Sequence, residues 1–454
     1  MKNVSYLTFY FISGVVARIE PLVNGGREET QPMPSTPAQG RLAAAAPIIL
    51  VVSLFFLWGM ANNLNDVLIA QFRKAFTLGD LQSGLVQSAF YFGYFVLAIP
   101  AALFMKRFGY KRAVVLGLCL FGIGALMFFP AAEVRRYELF LLALFVIASG
   151  LAFLETSANP LVTLLGPPET AERRLNLAQA FNPLGSIMGL LIGRHFILSG
   201  VEHTPEELAA MAPDALASFY ATEASAVQTP YLLIGLFVLA WAILVLIVPF
   251  PRVAGVEAAR EESPGSAKDF RALFRNRRYL LGVVAQFFYV GAQVGVWSYM
   301  IRYAQEALSV GERTAADYLT WSVVAFMIGR FVGTALMTRV RPAMLLATFG
   351  AINVALCAVA VAAPGPAGMI ALASTSFFMS IMFPTIFASS LKGLGNLTKA
   401  GSSLLVMAII GGAVLTAVMG LVSDVSSIHV AMAVPAVCFA VVALFGWRSR
   451  QSVN

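Results

Sequence analysis

The sequence predicts an all-α membrane protein of twelve transmembrane helices arranged as two six-helix bundles. Three observations carry that prediction. Of the 454 residues, 59% are hydrophobic and only 12% charged, whereas about a quarter of the residues of a soluble domain are charged; the mean hydropathy is +0.79. Apolar stretches repeatedly reach the roughly 20 residues that a helix needs to cross a hydrocarbon core of about 30 Å. These stretches fall six and six around one long charged interruption, "PRVAGVEAAREESPGSAKDFRALFRNRR", from Pro251 to Arg278. A transmembrane barrel is excluded, because it would alternate in hydrophobicity over strands of roughly ten residues.

In chain order, "VSYLTFYFISGVVA" is apolar but too short to span, and it follows a single lysine, Lys2. It lacks a small-residue cleavage site, which argues against a signal peptide. "EETQPMPSTPAQG" has the composition of a disordered segment, so residues 1–42 are assigned to a tail. The first bundle, 43–250, holds spans 1–6 at 43–70, 81–104, 112–130, 138–163, 175–198 and 229–249. A linker, 251–279, leads to the second bundle, 280–448, with spans 7–12 at 280–305, 314–338, 342–362, 368–391, 400–423 and 428–447.

The loops orient these spans. Lys106, Arg107, Lys111 and Arg112 lie between spans 2 and 3, Arg173 and Arg174 between spans 4 and 5, and Arg271, Arg275, Arg277 and Arg278 in the linker. All fall on one side, while the opposite loop, Gly200–Thr229, carries acids and no Lys or Arg. The positive-inside rule therefore places the linker and both termini in the cytoplasm. The same rule accounts for the net charge of +8 without a nucleic-acid partner. Cys119, Cys357 and Cys438 are far apart in apolar runs, and His195, His203 and His429 are equally scattered, so neither a disulfide framework nor a metal site is expected. No GxxxxGK[ST] loop occurs, which argues against an ATP-driven pump. The sequon at Asn396 falls on the cytoplasmic side of this topology.

The polar residues inside the spans carry the functional reading. "FFLWGMANNLND" ends span 1 with Asn62 and Asn63 on the same helical face as Asp66. A carboxylate at that depth costs at least about 2.5–3.5 kcal/mol on insertion scales, so it is expected to face a cavity or a partner. A loop acid just outside the bilayer is the alternative. Glu155, in "ASGLAFLETSANPLVTLL", lies deeper, inside span 4, with Asn159 one turn later and Pro160 loosening the helix. Its alternative is a structural ion pair, but the one clearly intramembrane base, Arg330, sits near the far end of span 8. Span 5 carries Asn176, Gln179 and Asn182 at three-residue steps, and span 7 carries Gln286, Tyr289, Gln293 and Trp297 along one stripe. Amides donate to and accept from sugar hydroxyls, while aromatic faces cover a sugar's C–H patch. Interhelical bonding, at about 0.6 kcal/mol per bond, is the alternative for any single amide. For the set, a shared polar cavity is the better account.

Several motifs in order resemble one family. "LWGMANNLND", "QSAFYFGYF", "LETSANPLVTLLGP", "RLNLAQAFN", "VGAQVGVWSYMIRYA", "PTIFASSLKGLG" and "GSSLLVMAIIGGAV" are similar to the L-fucose/proton symporter family of the major facilitator superfamily, over nearly the whole chain after about residue 45. The resemblance implies that Asp66 and Glu155 are the protonation and coupling residues, and that Asn63, Gln179 and Asn182 contact sugar. Two departures stand out. Lys106 replaces an aspartate of the superfamily's loop signature, and Met382 and Phe383 replace a Gln-Tyr pair before "PTIF".

The expected protein is thus no enzyme but a secondary transporter that imports a monosaccharide, most plausibly L-fucose, with protons as coupling ion and no cofactor. The substrate set is Asn63, Glu155, Asn159, Gln179, Asn182, Gln286, Gln293 and Phe383. Sugar and the lipid bilayer of the bacterial inner membrane are its partners, and one chain suffices for the fold. A symporter for another hexose or amino sugar, a sodium-coupled carrier and a drug/proton antiporter are the alternatives. The antiporter fits less well, because its cavity should be more apolar and poorer in amides, and a non-transporting sugar receptor fits least.

Overall fold

A computed structural model of the protein describes residues 50–61, 64, 68, 71–72, 75–76, 80–164, 167–197, 205–248 and 267–451. Among the described residues every regular element is helical. This follows from the solvent, since a spanning segment must pair its backbone polar groups internally. Among the described residues ten helices are long and apolar enough to cross a bilayer, and they correspond to spans 2–4 and 6–12. Span 1 is described as Leu50–Ala61.

Span 5 is not one helix. Ala171–Gln179 and Asn182–Ile192 are separate helices, and a π turn, Gly193–Ile197, continues the second. Span 10 breaks in the same way, into Pro366–Met379 and Met382–Leu391. In both, a proline (Pro183, Pro384) follows the break, where its missing N–H belongs to a first helical turn and costs nothing. Pro100 and Pro160 lie inside continuous helices instead. The acidic loop between spans 5 and 6 is itself helical, as Pro205–Ala210 and Pro213–Ser225. Its Glu223 is buried and accepts from Gln71 Nε2 at 2.8 Å, through both its main-chain oxygen and Oε2.

Spans 1 and 5 approach backbone to backbone. A Cβ on Gly59 would lie 2.0 Å from the Asn182 carbonyl oxygen, and one on Gly185 would lie 1.9 Å from the Phe56 carbonyl oxygen. Only glycine permits that distance, in keeping with the small residues that let helices meet in lipid.

The two halves of the chain touch mainly on the side of the linker. Thr398–Met407 of span 11 packs on spans 2 and 4, and Met382–Leu391 of span 10 packs on Ala171–Gln179 of span 5. Asn176 Nδ2 donates to Thr385 Oγ1 at 3.0 Å, Lys392 Nζ lies 4.0 Å from Glu172 Oε1, and Lys399 Nζ sits 5.4 Å above the Tyr110 ring. Part of the linker, Ala267–Arg275, is a helix. Its Asp269 pairs with Lys106, so the lysine that replaces an aspartate in the loop between spans 2 and 3 finds its acid on the linker.

Candidate functional site

The inner half of span 4 is enclosed on every side. From Ile147 to Val162 no residue of Tyr137–Leu164 reaches the surface, because spans 2, 3, 5, 10 and 11 all pack on it. Glu155 sits in the middle of that stretch, 0% exposed. Neither carboxylate oxygen has a hydrogen-bond partner among the described residues. A bare charge in that position costs several kcal/mol unless something compensates it. A bound proton and a hydrogen-bonding ligand are the two things that can.

One turn on, Asn159 Oδ1 accepts from Gln179 Nε2 at 2.9 Å, and its own Nδ2 has no partner among the described residues. Gln179 is the last residue of the first helix of span 5, so the break presents its side chain and its main-chain oxygen together. Both accept from Arg330 Nη1, at 3.0 Å through Oε1 and 3.2 Å through the carbonyl. The guanidinium lies 4.7 Å from the centre of the Phe326 ring. Arg330 therefore reaches across the halves to an amide and forms no ion pair with Glu155. Asn182, just past the break, turns to span 1 and donates from Nδ2 to the Phe55 carbonyl at 3.3 Å.

From the second half, Gln286 and Tyr289 are fully buried on one face of span 7. Both side-chain atoms of Gln286 and the Tyr289 hydroxyl are unpartnered among the described residues. The Tyr289 hydroxyl lies within electrostatic reach of Arg330, and its ring meets Phe383 edge to face at 6.2 Å. Gln293, one turn further, is half-buried. Spans 4, 5, 7, 8 and 10 are thereby joined through Asn159, Gln179, Arg330, Tyr289 and Phe383. Buried polar atoms without partners are few in proteins, and among the described residues those of Glu155, Asn159, Gln286 and Tyr289 belong to this junction.

Two residues expected in the cavity serve structure instead. Asn176 donates to the Glu172 carbonyl at 2.8 Å as well as to Thr385, and Trp297 Nε1 donates to Ser376 Oγ at 2.9 Å. Asp66 and Asn63 lie outside the described residues. Two further residues were not anticipated. Trp58 and Tyr94 are buried, and the indole N–H faces the Tyr94 hydroxyl without completing a hydrogen bond. Tyr94 is also within electrostatic reach of Glu155. In sequence, its only signal is a polar-tipped ring in an apolar run, which Tyr91 shares.

Residues 50–408 match the family model of the Major Facilitator Superfamily. The chain belongs to that superfamily. It is a multi-pass membrane transporter, not an enzyme. Over 412 residues it is 47% identical to the L-fucose-proton symporter of Escherichia coli (strain K12), covering 90% of this chain and 94% of the relative. It is 39% identical over 402 residues to the glucose/galactose transporter of Brucella abortus, covering 88% and 93%. Among solved structures it superimposes on the major facilitator transporter FucP in the outward conformation with a TM-score of 0.83, at 46% identity, covering 90% of this chain and 99% of that one. A bacterial homologue of the iron transporter ferroportin, at 11% identity and a TM-score of 0.68, shares the fold alone. The interrupted spans and the polar junction described above thus belong to a major facilitator chain that is similar to an L-fucose-proton symporter and to a glucose/galactose transporter.

Proposed function

We propose that this transporter imports a monosaccharide, L-fucose foremost, together with protons, by alternating access of a central site between its two bundles. The observation that carries this reading is Glu155, fully buried and without a hydrogen-bond partner among the described residues, beside a cluster of amides. As the neutral acid it donates a hydrogen bond to a sugar hydroxyl, so proton and sugar bind better together than apart. Asn63, Asn159, Gln179, Asn182, Gln286 and Gln293 supply the remaining polar contacts, and Phe383 supplies an apolar face. Asp66 loads the proton from outside. The membrane potential supplies about 2.3 kcal/mol per charge per 100 mV, enough to accumulate sugar several tens-fold. We place the protein in the bacterial inner membrane as a monomer with linker and termini cytoplasmic, with the proton as coupling ion and no cofactor. The contacts between halves then close the cytoplasmic side. The test is sugar added to de-energised cells, which should turn the medium alkaline; uptake that ignores a protonophore, without alkalinisation, sinks proton coupling.

A second sugar is favoured by one observation. Met382 and Phe383 stand where the resembled symporters carry an amide and a hydroxyl, and Phe383 meets the Tyr289 ring edge to face, which leaves that wall apolar. Another hexose, such as the glucose or galactose named for the Brucella relative, fits this reading. The double substitution M382Q/F383Y should shift preference toward L-fucose by about 1–2 kcal/mol, the scale of one or two hydrogen bonds. An unchanged ranking in a competition panel of unlabelled sugars would remove both side chains from the site.

A further inference from the structure

The linker helix Ala267–Arg275 has a division of faces that the transport cycle does not use. At 3.6 residues per turn, Asp269, Leu273, Phe270, Phe274, Arg271 and Arg275 follow one another around its circumference. Asp269 is held by Lys106, Leu273 is 0% exposed and Phe270 is half-buried, so this side faces the protein. Phe274, next around the helix, is 59% exposed, and Arg271 and Arg275 beyond it are exposed. The helix ends at Arg275, and the membrane-spanning helix Arg277–Leu308 begins after the single residue Asn276. That connection keeps the linker helix beside the end of a membrane-spanning helix, and it adds Arg277 and Arg278 to the same end.

From 267 to 278 the chain carries five basic residues and one acid, Asp269, which Lys106 already occupies. None of the four arginines meets a carboxylate among the described residues. A linker merely dissolved in water explains the arginines but not an aromatic ring left bare between them. An exposed ring beside a row of cations, at the depth where a spanning helix begins, is the chemistry of an interfacial helix on an anionic surface. We propose that the linker helix is a docking site for anionic phospholipid headgroups, with Phe274 seated at the acyl boundary and Arg271, Arg275, Arg277 and Arg278 meeting the phosphates. Because Asp269 ties the same helix to the loop between spans 2 and 3, lipid held there is mechanically connected to the contacts between the halves.

The test uses the full chain in vesicles of phosphatidylcholine with and without phosphatidylglycerol, free of sugar, so that it stands apart from the transport reading. A nitroxide on F274C, in a C119S background because Cys357 and Cys438 are buried, should be shielded from a water-soluble nickel chelate and accessible to oxygen only when phosphatidylglycerol is present. Native mass spectrometry should find retained phosphatidylglycerol falling about fivefold for each arginine removed in R271Q/R275Q, and preserved in R271K/R275K. Retained phosphatidylcholine, unchanged across these variants, reports that they fold. A label equally shielded or equally wet in both vesicles, or retention indifferent to R271Q/R275Q, overturns the proposal.

Discussion

Two buried glutamates, Glu155 and Glu172, stand in contrasting surroundings. Glu155 lies in the middle of span 4 at 0% exposure, with neither oxygen partnered among the described residues. Glu172 lies at the linker-side start of span 5 at 6% exposure. One of its oxygens accepts from Ser389 Oγ at 3.4 Å and faces Lys392 at 4.0 Å, both on span 10 in the other half. Burial is nearly equal, so burial alone does not mark a functional acid. What separates them is the partner: Glu172 is held by the opposite half, whereas Glu155 has no partner among the described residues and is the acid we propose to exchange a proton and meet the ligand.

The sharpest way to break this comparison is at Glu155. E155Q imitates the neutral acid, so proton-driven accumulation should vanish while sugar exchange persists without its dependence on pH. E155A also removes the hydrogen bond and should weaken sugar binding by about 1–3 kcal/mol. Counterflow in proteoliposomes beside proton-driven uptake, at acid and alkaline pH, reads both; accumulation by E155Q would make Glu155 a structural acid. D66N extends the test to the acid of span 1. It should abolish uphill uptake yet spare sugar binding and some exchange, and a D66N protein that still accumulates sugar would leave Asp66 a helix-end residue. The smallest effect is expected at Glu172. Lys392 is more than a third exposed, so solvent screens the pair, and E172Q should cost no more than about 1 kcal/mol. Exchange rates should then change less than about fivefold, with the pH profile of uptake intact. A pH profile that collapses in E172Q would erase the distinction between the two acids.

The sequence made much of this legible, for reasons that differ by residue. Glu155 stands out because a carboxylate flanked by uncharged residues is expensive in a membrane at any packing. The pairing of Arg330 is the opposite case. Its position near the end of span 8 set it apart from Glu155, with which it indeed forms no ion pair. Nothing local foretold that the break after Gln179 turns a carbonyl and a side chain toward it, and both accept from its guanidinium. Asn176 and Gln179 are chemically alike and three residues apart, yet one bonds Thr385 in the linker-side contact and the other joins Asn159 and Arg330. No local pattern distinguishes them, since the difference lies in which helix of the other half each one meets.

By itself the sequence determined the solvent, the number of spans and their six-and-six division, because bilayer thickness imposes a fixed apolar length on any helix that crosses it. It also marked the acid that has to be accounted for, because intramembrane charge is costly regardless of fold. Only the tertiary structure decided which polar groups bond each other and which remain unpartnered. Hydrogen bonds hold over about 3 Å, and residues that make them here are separated by 151, 209 and 217 residues of chain. A partner at that separation is chosen by how helices pack, and packing is settled across the molecule rather than within any stretch of it.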